Sequence, residues 1–119
     1  MGKISLAPLS SIDGYIGSTL VDSTSGMVLG SDGGGPVNME IAAAGNTQVV
    51  RAKRKTMESL GIKDKIEDIL ITLNDQYHII RPLESDDVFF LLVVLVREKA
   101  NLAMARHEIK KFEKTLDFN

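Results

Sequence analysis

Three adjacent glycines, Gly33, Gly34 and Gly35, stand ahead of a long helical pattern, where the free amides of a helix start could hold a phosphate. The stretch lacks the G-K-[ST] ending of a P-loop and the spacing of G-x-G-x-x-G, and Asp32 beside it would repel an anion. A flexible connector is the favoured reading. The two histidines, His78 and His107, have no second His, Cys or close carboxylate at a spacing that specifies zinc. His78 falls on a predicted strand and His107 on the polar side of a predicted helix. Ser, His and Asp all occur, but no G-x-S-x-G elbow accompanies them, so a hydrolase triad has no support. These residues predict a protein that is not an enzyme, with no catalytic residue, cofactor or metal ligand.

Arg51, Lys53, Arg54 and Lys55 form the one dense basic cluster. In the C-terminal half of a helix they complement its dipole, and that reading is favoured over a surface for an acidic partner. A helix wheel spreads them over more than one side, so a partner would meet only part of the cluster. Arg51, Arg54 and Lys55 are the candidates for such a partner surface.

The element that must sit at the centre of the molecule is the run of nine apolar residues at 88–96, with no Gly, Pro or charge. It is too short to span a bilayer as a helix, and it reads as a strand buried on both faces. Such a strand needs helices on each side of one sheet. Around it, residues 15–21 and 27–29 read as an antiparallel pair joined by a turn at 22–26, in which Gly26 is free to take positive φ. Residues 31–36 form the connector, Pro36 suits the first turn of a long helix over 37–60, and Gly61 stops it. Residues 66–73 and 77–83 read as two more strands about a turn at Asn74 and Asp75. From Leu102, the residues Leu102, Ala105, Ile109, Phe112 and Leu116 make an apolar helical stripe facing the sheet. Leu6, Leu9 and Ile12 give a three-spaced stripe to a short first helix, with regular structure confined by Pro8 to its flanks.

Length fits one domain over residues 1–119. The formal net charge of −2 supplies no field toward nucleic acid or acidic lipid. With no Trp, two Tyr and four Phe, the chain has few rings for stacking bases. Absence of Cys suits a reducing cytoplasm, and residues 1–7 hold one Lys and no apolar h-region, so neither leader nor membrane anchor is expected. The predicted location is cytoplasmic.

The long helix, roughly 35 Å at about 1.5 Å per residue, exceeds what one small sheet needs for cover. Its first half is crowded with Ala42, Ala43, Ala44 and Gly45, which allow close backbone approach. Pairing of two copies, helix against helix, is modestly favoured over close packing on the chain's own sheet. The short apolar strand at Met27, Val28, Leu29 and Gly30 would let the same dimer extend its sheet across an edge. The predicted interface is therefore those four residues with Ala42, Ala43, Asn46, Val49, Val50 and Lys53, and a charge at Ala43 or Val49 is expected to yield monomers.

The order helix, two strands, long helix, three strands, helix resembles the Roadblock/LC7 family. The resemblance is carried by Asp13-Gly14-Tyr15-Ile16-Gly17-Ser18 followed by Leu20-Val21-Asp22, Gly26 and Val28-Leu29-Gly30-Ser31, similar to the family's opening hairpin. Tyr77-His78-Ile79-Ile80-Arg81-Pro82-Leu83 is similar to the fourth strand of bacterial members, and Asn101-Leu102-Ala103-Met104-Ala105-Arg106 to the start of the last helix. The resemblance implies an α+β, profilin-like α/β/α sandwich with a five-stranded antiparallel sheet in the order 2-1-5-4-3. The long helix lies on one face and the two terminal helices on the other. It further implies dimerisation through the second strand and the long helix, and a role in regulating or scaffolding a small Ras-like GTPase. A nucleotide-independent scaffold or light chain is the rival reading. A small-molecule sensor is a third, and it predicts an enclosed pocket lined by Tyr15, Phe89 or Phe90.

Overall fold

The computed structural model describes residues 4–116. The first three residues of the stretch inspected for a leader lie outside them. Five strands, β1 (Tyr15–Asp22), β2 (Val28–Gly33), β3 (Ile69–Thr72), β4 (Gln76–Pro82) and β5 (Phe89–Val96), form one antiparallel sheet in the order β2-β1-β5-β4-β3. Two α-helices complete it, α1 (Met39–Ser59) between β2 and β3 and α2 (Leu102–Glu113) after β5, and the expected sandwich and strand order are found.

The central apolar run is explained by its two faces. Phe90, Leu92 and Val94 point to one cluster, where Val21 and Ile80 of the neighbouring strands meet Met39, Ala43 and Val50 of α1. Leu91, Val93 and Leu95 point to the other, where Leu20 and Ile79 meet Ala105, Ile109 and Phe112 of α2. Residues 90–95 are all fully buried, as alternation in a doubly covered strand requires. Leu6, Leu9 and Ile12 join the second cluster, at 1%, 1% and 7% exposure. Their spacing of three suits a 3-10 helix, which has three residues per turn and stacks such positions on one side. The first helix is indeed of that kind, Ala7–Ser11, and Pro8 lies inside its first turn rather than dividing it.

Most boundaries agree with expectation to within one residue, and three elements, β2, α1 and β3, depart further. β2 runs on through Ser31, Asp32 and Gly33, which the sequence reading placed in the connector, because the ladder with β1 continues at Thr19↔Ser31, Ser18↔Asp32 and Gly17↔Gly33. The phenol of Tyr15 holds this end by donating to Asp32 Oδ2 at 2.7 Å and sharing a hydrogen bond with Ser18 Oγ at 2.8 Å. The chain then turns through Gly33, Gly34 and Gly35, all at positive φ, and Gly34 packs so close to Gly17 that a Cβ on Gly17 would lie 2.5 Å from the Gly34 nitrogen. The glycines are used for this turn and close approach.

α1 starts at Met39, two residues later than its pattern suggested and clear of Pro36, because Asn38 caps it. Asn38 Oδ1 accepts from the amides of Glu40 at 3.0 Å and Ile41 at 3.1 Å, satisfying two donors that have no partner inside the helix. At the other end Gly61 N–H donates to Glu58 O and Ile62 N–H to Met57 O, with Gly61 at φ +69°, a Schellman stop. β3 is shorter than the predicted 66–73. Glu67 and Asp68, which precede it, are drawn to α2 by Lys110 at 3.0 Å and by the guanidinium of Arg106 at 2.8 and 3.1 Å. Acidic side chains committed to that layer break the strand alternation before Ile69.

Candidate interaction surfaces

α1 is the element whose placement decides what the molecule can bind. Met39, Ala43, Thr47 and Val50 are its buried residues, at spacings of four, four and three, so one stripe faces the sheet. Opposite that stripe lie Ile41, Gly45, Gln48 and Ala52, all exposed, with Ile41 at 70%. The predicted interface contained none of these four. They were legible only by fixing the helical phase from Met39, Thr47 and Val50, since small residues occur on both sides of the helix.

Correction is needed for two members of the predicted interface. Ala43 and Val50 have no exposed surface; they pack on the chain's own sheet, so neither lies on a face open to a second copy. Ala42, Asn46 and Val49 are half-buried on a flank of α1, and Lys53 on that flank is exposed. Asn46 donates its amide to Ala42 O at 2.8 Å. Of the remaining four, Met27 is 67% exposed at the end of the turn, and Val28, Leu29 and Gly30 are half-buried on β2, which is a sheet edge as expected.

The basic cluster divides. Arg51 Nε donates to Ser23 O at 2.8 Å and its Nη2 to Thr24 O, while Arg54 Nη1 reaches Ser23 Oγ at 3.2 Å and its Nη2 donates to Asp87 O. Both guanidinium groups thereby bond to the β1–β2 turn and the β4–β5 loop, with Arg51 exposed and Arg54 half-buried. Lys55 is exposed. None of the three supports the last turn of α1, which carries no basic residue.

Other polar groups serve the sandwich itself. The Arg81 guanidinium on β4 pairs with Glu113 at the end of α2, the side chains being 8% and 6% exposed, and Glu113 Oε2 also accepts from Glu84 N–H at 2.9 Å. Burial foremost pushes the Tyr15 phenol well above its ordinary value, the Ser18 hydrogen bond opposes this, and the Asp32 carboxylate adds to it. His107 is exposed. His78 is half-buried beside Gln76 Oε1 at 2.9 Å, and desolvation holds its imidazole below the ordinary value. An unfolded chain therefore takes up that proton first as pH falls. The His78 contribution is intact above the unfolded value of about 6.5 and is lost as pH drops from there toward the folded value. Denaturant midpoints measured from about pH 7.5 down to pH 5 are expected to fall less for His78→Gln than for the parent chain; parallel curves would contradict this.

Among the described residues no group of three or more His, Asp or Glu is placed to hold a metal ion, and no helix is long and apolar enough to cross a membrane. Five of the clefts that dent the surface are lined by residues other than Tyr15, Phe89 and Phe90, and Phe90 is fully enclosed by its neighbours. None of these five is the enclosed pocket expected of a sensor.

A sheet with one long helix across one face and a short and a terminal helix on the other, with β2 and β3 as its outer strands, defines a profilin-like sandwich. Solved structures narrow this to the Roadblock/LC7 fold. The chain is similar to a Roadblock/LC7 domain from Streptomyces avermitilis, with a TM-score of 0.78, 16% identity and coverage of 92% of this chain and 88% of that one. It is similar to an MglB described with a tetrameric arrangement, at a TM-score of 0.78, 16% identity and coverage of 93% and 81%. The gliding protein MglB of Thermus thermophilus gives a TM-score of 0.69 at 14% identity, covering 93% and 87%. No family profile and no curated protein matches the sequence. The likeness therefore shows the fold, and it agrees with the resemblance carried by the sequence motifs.

Proposed function

We propose that residues 1–119 form one Roadblock/LC7 module, a non-catalytic homodimer in the cytoplasm that regulates or scaffolds a small Ras-like GTPase. One observation carries the reading. On the fold shared with MglB, the outward stripe Ile41, Gly45, Gln48 and Ala52 of α1 is exposed and β2 is an edge strand of the sheet. A single twofold pairing would cover both, since an isologous contact buries the same patch on each copy. The paired helices and the sheet continued across β2 then offer a broad platform to a third protein.

A module without chemistry of its own changes a GTPase only by binding one nucleotide state more tightly than the other. Titration of the dimer against candidate GTPases from the same genome, loaded with GTP analogue or GDP, is expected to give affinities differing by about tenfold or more. Equal affinities with unchanged hydrolysis would refute regulation. A partner recovered equally in both states would mark the protein as a scaffold that ignores nucleotide.

A further inference from the structure

The opposite edge of the sheet, β3, is open too, and its chemistry differs from that of β2. Ile69, Leu70, Ile71 and Thr72 carry no Pro, Gly or charge, and they pair with β4 without a register shift. Natural edges are commonly blunted by Pro, charge, a bulge or shortness, and of these β3 has only its length of four residues. β2 has more of them: its far half is Gly30, Ser31, Asp32 and Gly33, and its ladder is interrupted between Leu20 and Val21.

The direction of each backbone group on β3 follows from the hairpin. Leu73 N–H donates to Gln76 O at 2.9 Å, so residue 73 faces β4. With Ile71 opposite His78 and Ile69 opposite Ile80, alternation turns the N–H and C=O of Leu70 and Thr72 away from the sheet. Among the described residues nothing bonds to those four groups. Another extended backbone can take the place of water along such a row.

Beside this edge, under the C-terminal half of α1, runs a trough of about 300 Å³ whose apolar lining is Met57, Ile62, Ile66 and Ile69 and whose charged lining is Lys53, Lys65, Asp64, Glu67 and Asp68. Ile62 is 45% exposed. Two of the three carboxylates are paired with cations, Glu67 with Lys110 and Asp68 with Arg106, while Asp64 accepts from the amide of Lys65 and keeps its charge, which leaves two ammonium groups against one carboxylate. The two rim ammonium groups have no ion pair among the described residues. A second copy added across β3 about a twofold axis would bring two such lysine rims onto one face, where like charges repel. An acidic strand meets complementary charge instead.

We infer that the β3 edge accepts an extended acidic segment of a partner protein as a sixth strand. An apolar side chain of that segment enters the Met57–Ile62–Ile66–Ile69 trough and a carboxylate reaches Lys53 and Lys65. This surface is separate from α1's outward stripe and from β2, and it holds whether or not the partner of those surfaces is a GTPase. The probe is a short labelled peptide alternating Val or Ile with Asp or Glu, followed by fluorescence anisotropy and by amide hydrogen exchange. Binding is expected, with the Leu70 and Thr72 amides slowed about tenfold or more in exchange.

Thr72→Pro deletes an outward amide that no internal bond uses, and Pro is tolerated at such edge positions, so it is expected to weaken peptide binding about tenfold with the fold kept. Lys53→Glu with Lys65→Glu, both on exposed positions, is expected to reverse the preference toward a peptide carrying Lys in place of Asp and Glu. No binding of the acidic peptide, amides at Leu70 and Thr72 that stay unprotected, or indifference to the charge reversal each overturns the inference. Self-association that Thr72→Pro abolishes, without peptide binding, would overturn it in favour of a second copy.

Discussion

Glu113→Ala is expected to lower unfolding free energy by about 3–5 kcal/mol, the range for breaking a buried ion pair from one side. Its partner Arg81 is buried on β4 and keeps its charge whatever happens to Glu113. Among the described residues the other bond of that guanidinium is to Glu67 O at 3.4 Å, too long to offset the loss. Glu84 N–H loses its acceptor at the same time. The pair thus ties three segments together: the end of α2, the chain leaving β4 and the residues ahead of β3. Arg81→Met combined with Glu113→Leu removes both charges and fills similar volume, and it is expected to recover most of the loss, because two desolvated ions are often replaced by apolar groups at little cost. Urea titrations of the single and double variants decide this. A single variant within about 1 kcal/mol of the parent would mean that water reaches the pair and screens it.

Ala43→Glu is expected to unfold the chain rather than split a dimer. Ala43 has no exposed surface and sits among Val21, Phe90 and Val50. A longer charged side chain there combines overpacking with an unpaired buried ion, about 5 kcal/mol or more. That is comparable with the whole stability of a domain, about 5–15 kcal/mol. Ile41→Asp and Ala52→Glu lie on the other side of α1, both exposed in the protomer. Exposed changes of this kind shift stability by only about 0.5 kcal/mol either way, so both variants should fold. In the proposed dimer they place charge inside the helix contact, and monomers are expected. Circular dichroism with light scattering separates the two outcomes. A folded Ala43→Glu chain would contradict the burial, and unchanged mass for both Ile41→Asp and Ala52→Glu would remove α1 from the contact.

Patterns local in sequence led to much of the architecture. The unbroken apolar run had to lie between two covered faces. Leu6, Leu9 and Ile12 kept one side at any helix of three residues per turn, and Gly61 could end a helix where other residues are strained at positive φ. The motif resemblance supplied strand order, which periodicity alone does not. Local patterning failed where two adjacent choices were both apolar or small: the run Ala42 to Gly45 has no marker of which side faces the sheet, so the predicted interface mixed buried with open positions.

What the sequence by itself determined is the kind of each element and the layers they must form, because side-chain periodicity is a property of neighbours along the chain. Tertiary structure alone decided the phase of α1, the commitment of Arg51 and Arg54 to carbonyl groups at Ser23, Thr24 and Asp87, and the burial of Arg81 with Glu113. These join residues far apart in the chain, and a charge on an exposed helix reads the same in sequence as one enclosed by a neighbouring layer. Desolvation, which sets their energies, exists only once the layers meet.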